Sequence, residues 1–399
     1  MFAVGGAIAR RAHALDDRFG IDGRGWIVWA CFALLVLIAR LDSTDSIENV
    51  ISVYRDAGLR WLHGDDLYPV QFRFNYLPPS AVFFAAWNWL PFPVEGAVWR
   101  IANIAVFALG LWRISALGGG SKTRMRFLLA TIITIALSAS AARYGQLTLA
   151  MSGLMMIAVA DLEAGLLWRA AMFAALAVVM KPLAVVAWLT LAAVYPRLRW
   201  RAAITLVFFL LLPFLFQKTD YVFRQYAAVP AMLEARANQH YHWQHLFGLF
   251  EMLGWVATNL QQTLIRGIGA AVVLYLSWRT KRRTPSIGVG LTLYALATCY
   301  ILLLGSATER NTYGMLAPFI GLMAATAWET RDGRRLALMG GLASIMLLSH
   351  TMTRAFPHTA LATLKPLVCV ILFCWVAWIT IRSPATTSVP KAARRLSSA

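Results

Sequence analysis

Apolar runs follow one another from residue 26 to residue 382 with only short polar breaks between them, and many approach the roughly 20 residues that cross a hydrocarbon layer. Backbone amides in lipid must be satisfied within the fold, so the series reads as a polytopic helical bundle, an all-α membrane protein. Composition agrees. Of 399 residues 59% are hydrophobic and 14% charged, against about a quarter charged in soluble domains. A soluble fold is excluded.

The formal charge of +19 does not point to nucleic acid, because the basic residues are dealt out between the apolar runs as cytoplasmic loops require. They fall at Arg10 and Arg11, Lys122 to Arg126, Arg197 to Arg201, Arg279 to Arg283, Arg331 to Arg335, and Lys391 to Arg395. Read as topology signals, they predict both termini in the cytoplasm of a multi-pass protein of the plasma membrane. The expected spans are 26–40, one within 79–117, 127–142, 147–161, 167–180, 183–195, 200–216, 264–278, 286–304, 312–328, 336–350 and 365–382, about twelve in a single membrane domain over 1–399. The pairs flanking Gly145 and Lys181 are short enough to be broken helices instead. Cys31, Cys299, Cys369 and Cys374 sit in apolar runs without metal-ligand spacing, so neither disulfides nor a metal site is expected. The first run ends in Ala39-Arg40-Leu41-Asp42, which is no signal-peptidase site.

Two longer segments are predicted outside. The first, 41–78, holds Asp42, Asp45, Glu48, Asp56, Asp65 and Asp66, a third of the chain's 18 acidic residues. Within it Ile47 to Leu62 carries apolar residues at helical spacing, an amphipathic helix ended by His63-Gly64. The second, 217–262, is rich in Tyr, Trp, His and Gln and is expected to be interfacial with a helix or two. His240, His242 and His245 do not share a helical face, which argues against a metal.

Polar groups at membrane depth are functional candidates. Four sets qualify on the external side: the acidic loop, Arg143-Tyr144-Gly145-Gln146, Lys181-Pro182, and Thr308 to Tyr313. A carboxylate beside cations suits transfer of a sugar from a lipid phosphate, the carboxylate taking the acceptor proton and the cations holding the departing phosphate. Lys181 fits because Pro182 breaks the helix there. Lys181 equally fits simple snorkelling, and Arg143 and Arg310 fit structural pairing. A carrier for lipid-linked sugars and a non-catalytic envelope subunit are rival readings; both leave paired acid and cation candidates unused.

The run Val53-Tyr54-Arg55-Asp56-Ala57, then Trp61, Gly64, Leu67-Tyr68 and Phe74-Asn75-Tyr76-Leu77-Pro78-Pro79, resembles the first external loop of glycosyltransferase family 87. Gly145-Gln146 and Lys181-Pro182 are similar to that family's later signatures, and the likeness covers roughly residues 26 to 315. It implies a GT-C membrane fold with interfacial helices. It also implies an inverting transferase that needs no metal or cofactor and moves mannose or arabinofuranose from a polyprenyl-phosphate donor to a lipid or glycan acceptor on the outer face. Where the mannosyltransferase branch has an Asp about four residues before the loop tyrosine, this chain has Val50 ahead of Tyr54. Thr308 to Tyr313 also stands where that branch has a histidine. Asp45 and Asp42 are therefore the leading base candidates, with Glu309 and Asp56 open. Lys181, Arg143 and Arg310 are expected on the phosphate, and Gln146, Tyr313, Tyr54 and Tyr76 on the rest of the donor.

Overall fold

A computed structural model describes residues 23–41, 50–69, 73–118, 123–237, 244–283, 287–305, 308–355 and 364–383. Asp42 and Asp45, the leading base candidates, lie outside them. Among the described residues there are sixteen α-helices and no strand. They are α1 Gly23–Leu41, α2 Ile51–His63, α3 Pro78–Ala85, α4 Phe92–Ser115, α5 Thr123–Arg143, α6 Thr148–Glu163, α7 Leu167–Met180 and α8 Val185–Val194. The chain continues with α9 Arg199–Leu211, α10 Thr219–Ala237, α11 Leu246–Met252, α12 Asn259–Arg282, α13 Val289–Leu304, α14 Ala317–Glu329, α15 Gly333–Ala355 and α16 Leu364–Arg382.

Five helical stretches are long and apolar enough to cross a membrane: Phe92–Ser115, Met125–Arg143, Pro196–Leu215, Gly333–Met352 and Leu364–Arg382. Four more apolar helices, among them Leu167–Met180 and Val289–Leu304, are shorter. Their outer faces carry bare apolar side chains such as Leu35, Ile132, Phe208 and Leu348, all more than half exposed, as lipid contact requires. Inside, α4 packs on α6 and α5 on α14. Gly110 and Gly153 meet backbone to backbone there, closer than any Cβ would permit, the small-residue contact that lets membrane helices approach.

Successive long helices run in opposite directions, so the bundle has two poles. At one, α4, α6 and α7 are tied by the ion pairs Arg113–Asp161 and Arg169–Asp161, and α5 to α14 by Arg126–Glu329. Lys281 Nζ donates to the Val194 carbonyl, and Arg279 and Arg283 donate to the carbonyls of Ile381 and Ser383. Among the described residues, this basic pole gathers the clusters at 197–201, 279–283 and 331–335 read as topology signals.

The breaks at Gly145 and Lys181 turn the chain back on itself, so each pair is a helical hairpin with its bend at the opposite pole. There α2, α3 and α10 cap the bundle over a second core that includes Ile51, Tyr54, Trp61, Phe84, Trp99 and Tyr221. Helix α2 begins four residues later than the predicted stretch and ends as expected, where Gly64 at φ 76° returns its amide to Arg60 and Trp61. The segment expected as a second interfacial loop contributes α10. It clamps the first loop through Tyr221 Oη to the Asp65 carbonyl (2.7 Å), Gln217 to the Trp61 carbonyl (2.6 Å) and the Leu67 amide to Gln225 (2.9 Å).

Candidate active site

Both hairpin bends expose helix-end backbone groups that side chains from other helices satisfy. At the first, Gly145 takes φ +68°, and a Cβ there would meet Ile51 at 2.9 Å, so the left-handed turn and the close approach of α2 both call for glycine. The exposed peptide groups of the bend find partners on α4. Trp99 Nε1 donates to the Gly145 carbonyl (2.8 Å), Arg100 Nε to the Arg143 carbonyl (3.0 Å) and Asn103 Nδ2 to the Gln146 carbonyl (2.8 Å). Asn103 Oδ1 accepts the Ala150 amide at 2.6 Å. At the second bend, Lys181 leaves the helix in an extended conformation (φ −144°, ψ 112°) ahead of Pro182. Ser80 Oγ donates to the carbonyls of Val179 and Met180, which the broken helix leaves without amides.

Between the bends, α2 and the start of the 310 segment Arg310–Leu316 lies a cavity of about 290 Å³, at the small end of sites for small-molecule ligands. Tyr54, Tyr76, Gln146, Lys181 and Glu309 line it together. Lys181 Nζ donates to Thr148 Oγ1 at 2.6 Å, which ties the ammonium to the start of α6 at the first bend. Tyr54 stacks on Phe84 with ring centres 4.3 Å apart, accepts the Leu147 amide (3.2 Å) and shares a hydrogen bond with Tyr76 (3.3 Å). Burial, with Tyr76 beside it, pushes the Tyr54 hydroxyl far above its ordinary pKa, so it stays protonated. Leu183, Val185, Val186, Leu233 and Ile301 form an apolar wall on one side.

Three expected ligand residues stand elsewhere. Arg143 ends α5 with its guanidinium 5.9 Å from the Tyr144 ring, and is not among the residues lining the cavity. Arg310 lies one residue past Glu309, yet its carbonyl is the part that is engaged, accepting from Lys365 Nζ at 3.0 Å. Tyr313 is buried in the bundle core with its hydroxyl donated to the Gln244 carbonyl (2.9 Å), because the 310 turn after Glu309 swings it inward. Asp56 is exposed, on the side of α2 away from Tyr54, and its neighbour Arg55 is paired with Glu95.

Two polar lining residues went unselected. Arg73 and Asn75 flank Phe74, which is buried against Tyr68 and Tyr76. The signal was at hand, since an arginine directly ahead of the Phe-Asn-Tyr run is a cation within a segment already singled out. Arg100 and Asn103 were equally readable as polar groups inside an apolar run.

The sequence profile of glycosyltransferase family 87 matches residues 74–306, more than half of the chain. The chain belongs to glycosyltransferase family 87. No curated protein matches it. The matched stretch holds Asn75, Tyr76, both bends and Lys181, and stops just short of Glu309, while Tyr54 and Arg73 precede it. A glycosyltransferase of this family thus has its cavity at the pole where both bends meet.

Proposed function

We propose that this membrane glycosyltransferase moves a sugar of the mannose or arabinofuranose type from a polyprenyl-phosphate donor to a lipid or glycan acceptor, with inversion. The bundle is a GT-C fold of about twelve spans with both termini in the cytoplasm of a plasma-membrane protein. The observation that carries the reading is the convergence of Lys181 and Glu309 in a cavity whose other wall is hydrocarbon. A lipid phosphate needs a cation at its head and an apolar surface for its chain, and Val185 and Leu233 of that wall reach the lipid-exposed outside. The concentration of basic residues at the opposite pole supports an extracytoplasmic cavity.

In the reaction, the acceptor hydroxyl oxygen bonds to the anomeric carbon while a carboxylate takes its proton. The bond from that carbon to the phosphate oxygen breaks, and its electron pair stays on the phosphate, held by Lys181. Gln146, Tyr54 and Tyr76 orient the donor. Glu309 is the carboxylate that lines the cavity among the described residues, and Asp42 and Asp45 contend with it for the proton.

Purified protein incubated with radiolabelled polyprenyl-phosphate sugars and analysed by thin-layer chromatography tests this reading, with Asp42→Asn, Asp45→Asn and Glu309→Gln alongside. Transfer is expected from at least one donor and falls about 100-fold or more in the variant lacking the base. Full transfer in all three variants overturns the mechanism, and no transfer by the wild type overturns the donor class.

A further inference from the structure

We propose that Arg73 is the second cation of the phosphate site and acts mainly on the departing lipid phosphate. This rests on the reading of the donor as a phosphate-linked sugar. Such a donor is a phosphodiester with one negative charge. Transfer leaves a phosphomonoester, whose charge at neutral pH lies between about −1.5 and −2. The site therefore gains negative charge as the anomeric carbon–oxygen bond breaks, and a cation matched to the donor alone leaves that increment in an apolar surrounding.

Lys181 and Arg73 are the two cations among the described residues that line the cavity. They are held differently. Lys181 is fixed to Thr148 at the bend between α7 and α8. Arg73 projects from the strap leading to α3, with an exposed side chain, on a backbone anchored by its neighbours. Phe74 is 1% exposed and packs on Tyr68 and Tyr76, and Tyr68 Oη donates to the Tyr76 carbonyl at 2.8 Å. Tyr76 then joins Tyr54, which carries the Leu147 amide of the first bend. The strap is thereby tied to the bend that presents Gln146, so the base of the Arg73 side chain is anchored at the edge of the cavity. A planar guanidinium can take two phosphate oxygens at once, and the monoester presents three terminal oxygens with more charge where the diester presents two, which favours the monoester.

Steady-state kinetics of the full-length protein in nanodiscs test this, with Arg73→Ala, Arg73→Gln and Arg73→Lys, a polyprenyl-phosphate sugar as donor and the free polyprenyl monophosphate as product inhibitor. In Arg73→Ala, kcat is expected to fall on the order of 100-fold while the donor KM stays within about threefold. Product inhibition weakens in step with kcat, Arg73→Lys recovers part of both, Arg73→Gln recovers neither, and Tm is unchanged. Unaltered kcat and product inhibition overturn the assignment, as does an effect on donor KM alone. Equal recovery by Gln and Lys, or a loss that follows Tm, makes the residue structural and overturns it too. If the wild type turns over no lipid-phosphate sugar, the donor class itself falls; if it does and Arg73→Ala matches it, only this inference falls.

Discussion

The two poles of the bundle use the same residue types for opposite ends. At the basic pole the buried carboxylates are neutralised within the protein: Asp161 by Arg113 and Arg169, and Glu329 by Arg126. At the cavity pole Glu309, Lys181 and Arg73 border open volume, and the hydroxyl of Thr148 holds the lysine. A carboxylate consumed by a guanidinium between packed helices is a cross-link, whereas charges that border a cavity are within reach of a ligand. Charge at depth therefore marks a site only where the packing leaves room beside it.

Removing the fixed cation tests that contrast most severely. Lys181→Ala is expected to lower turnover more than 100-fold with little change in Tm, because the lysine's hydroxyl partner remains satisfiable and the bend is held by Ser80 and Pro182. Turnover of the variant within tenfold of wild type would erase the functional half of the comparison. Asp161→Asn probes the other half. It leaves Arg113 and Arg169 facing a neutral amide at a fully buried position, and is expected to cost about 3 kcal/mol of stability. Thermal unfolding in detergent measures it, and activity per folded molecule should stay near wild type.

The smallest effect sharpens the cavity pole's own structure. His245 caps α11, its Nδ1 accepting the Gly248 amide at 3.1 Å, and burial first, then Arg266, lowers its pKa to about 4. The unfolded chain, with an ordinary value of 6.5, binds the proton first as pH falls. Stability conferred by the neutral ring is therefore complete above that value and is lost as pH drops towards about 4. Melting curves between those limits should decline in the wild type and flatten in His245→Asn, which keeps a cap acceptor and cannot titrate. Identical slopes would remove His245 from the account.

Much of the architecture could be read from local chemistry. Pro182 forbids the helix from carrying Lys181 onward, and Gly145 is the residue a left-handed bend needs, so both breaks were visible. The stripe from Ile51 to Trp61 announced α2. Reading failed where direction depended on a distant partner. Arg143 and Arg310 have the right charge at the right pole, yet Arg100 takes the carbonyl of one and Lys365 that of the other. Tyr313 lies four residues past Glu309 and faces the core, because a 310 turn rather than an α-turn separates them.

By itself the sequence determined that this chain is a helical membrane protein of glycosyltransferase family 87, with its breaks at Gly145 and Lys181. Those properties depend on apolar length, proline and glycine stereochemistry and residue order, which neighbours in sequence impose. Only the tertiary structure decided that Arg73 and Glu309 share a cavity with Lys181 while Arg143 and Tyr313 do not. Which way a side chain points is set by what packs against it from elsewhere in the chain, here α2, α4 and α10 closing over the two bends.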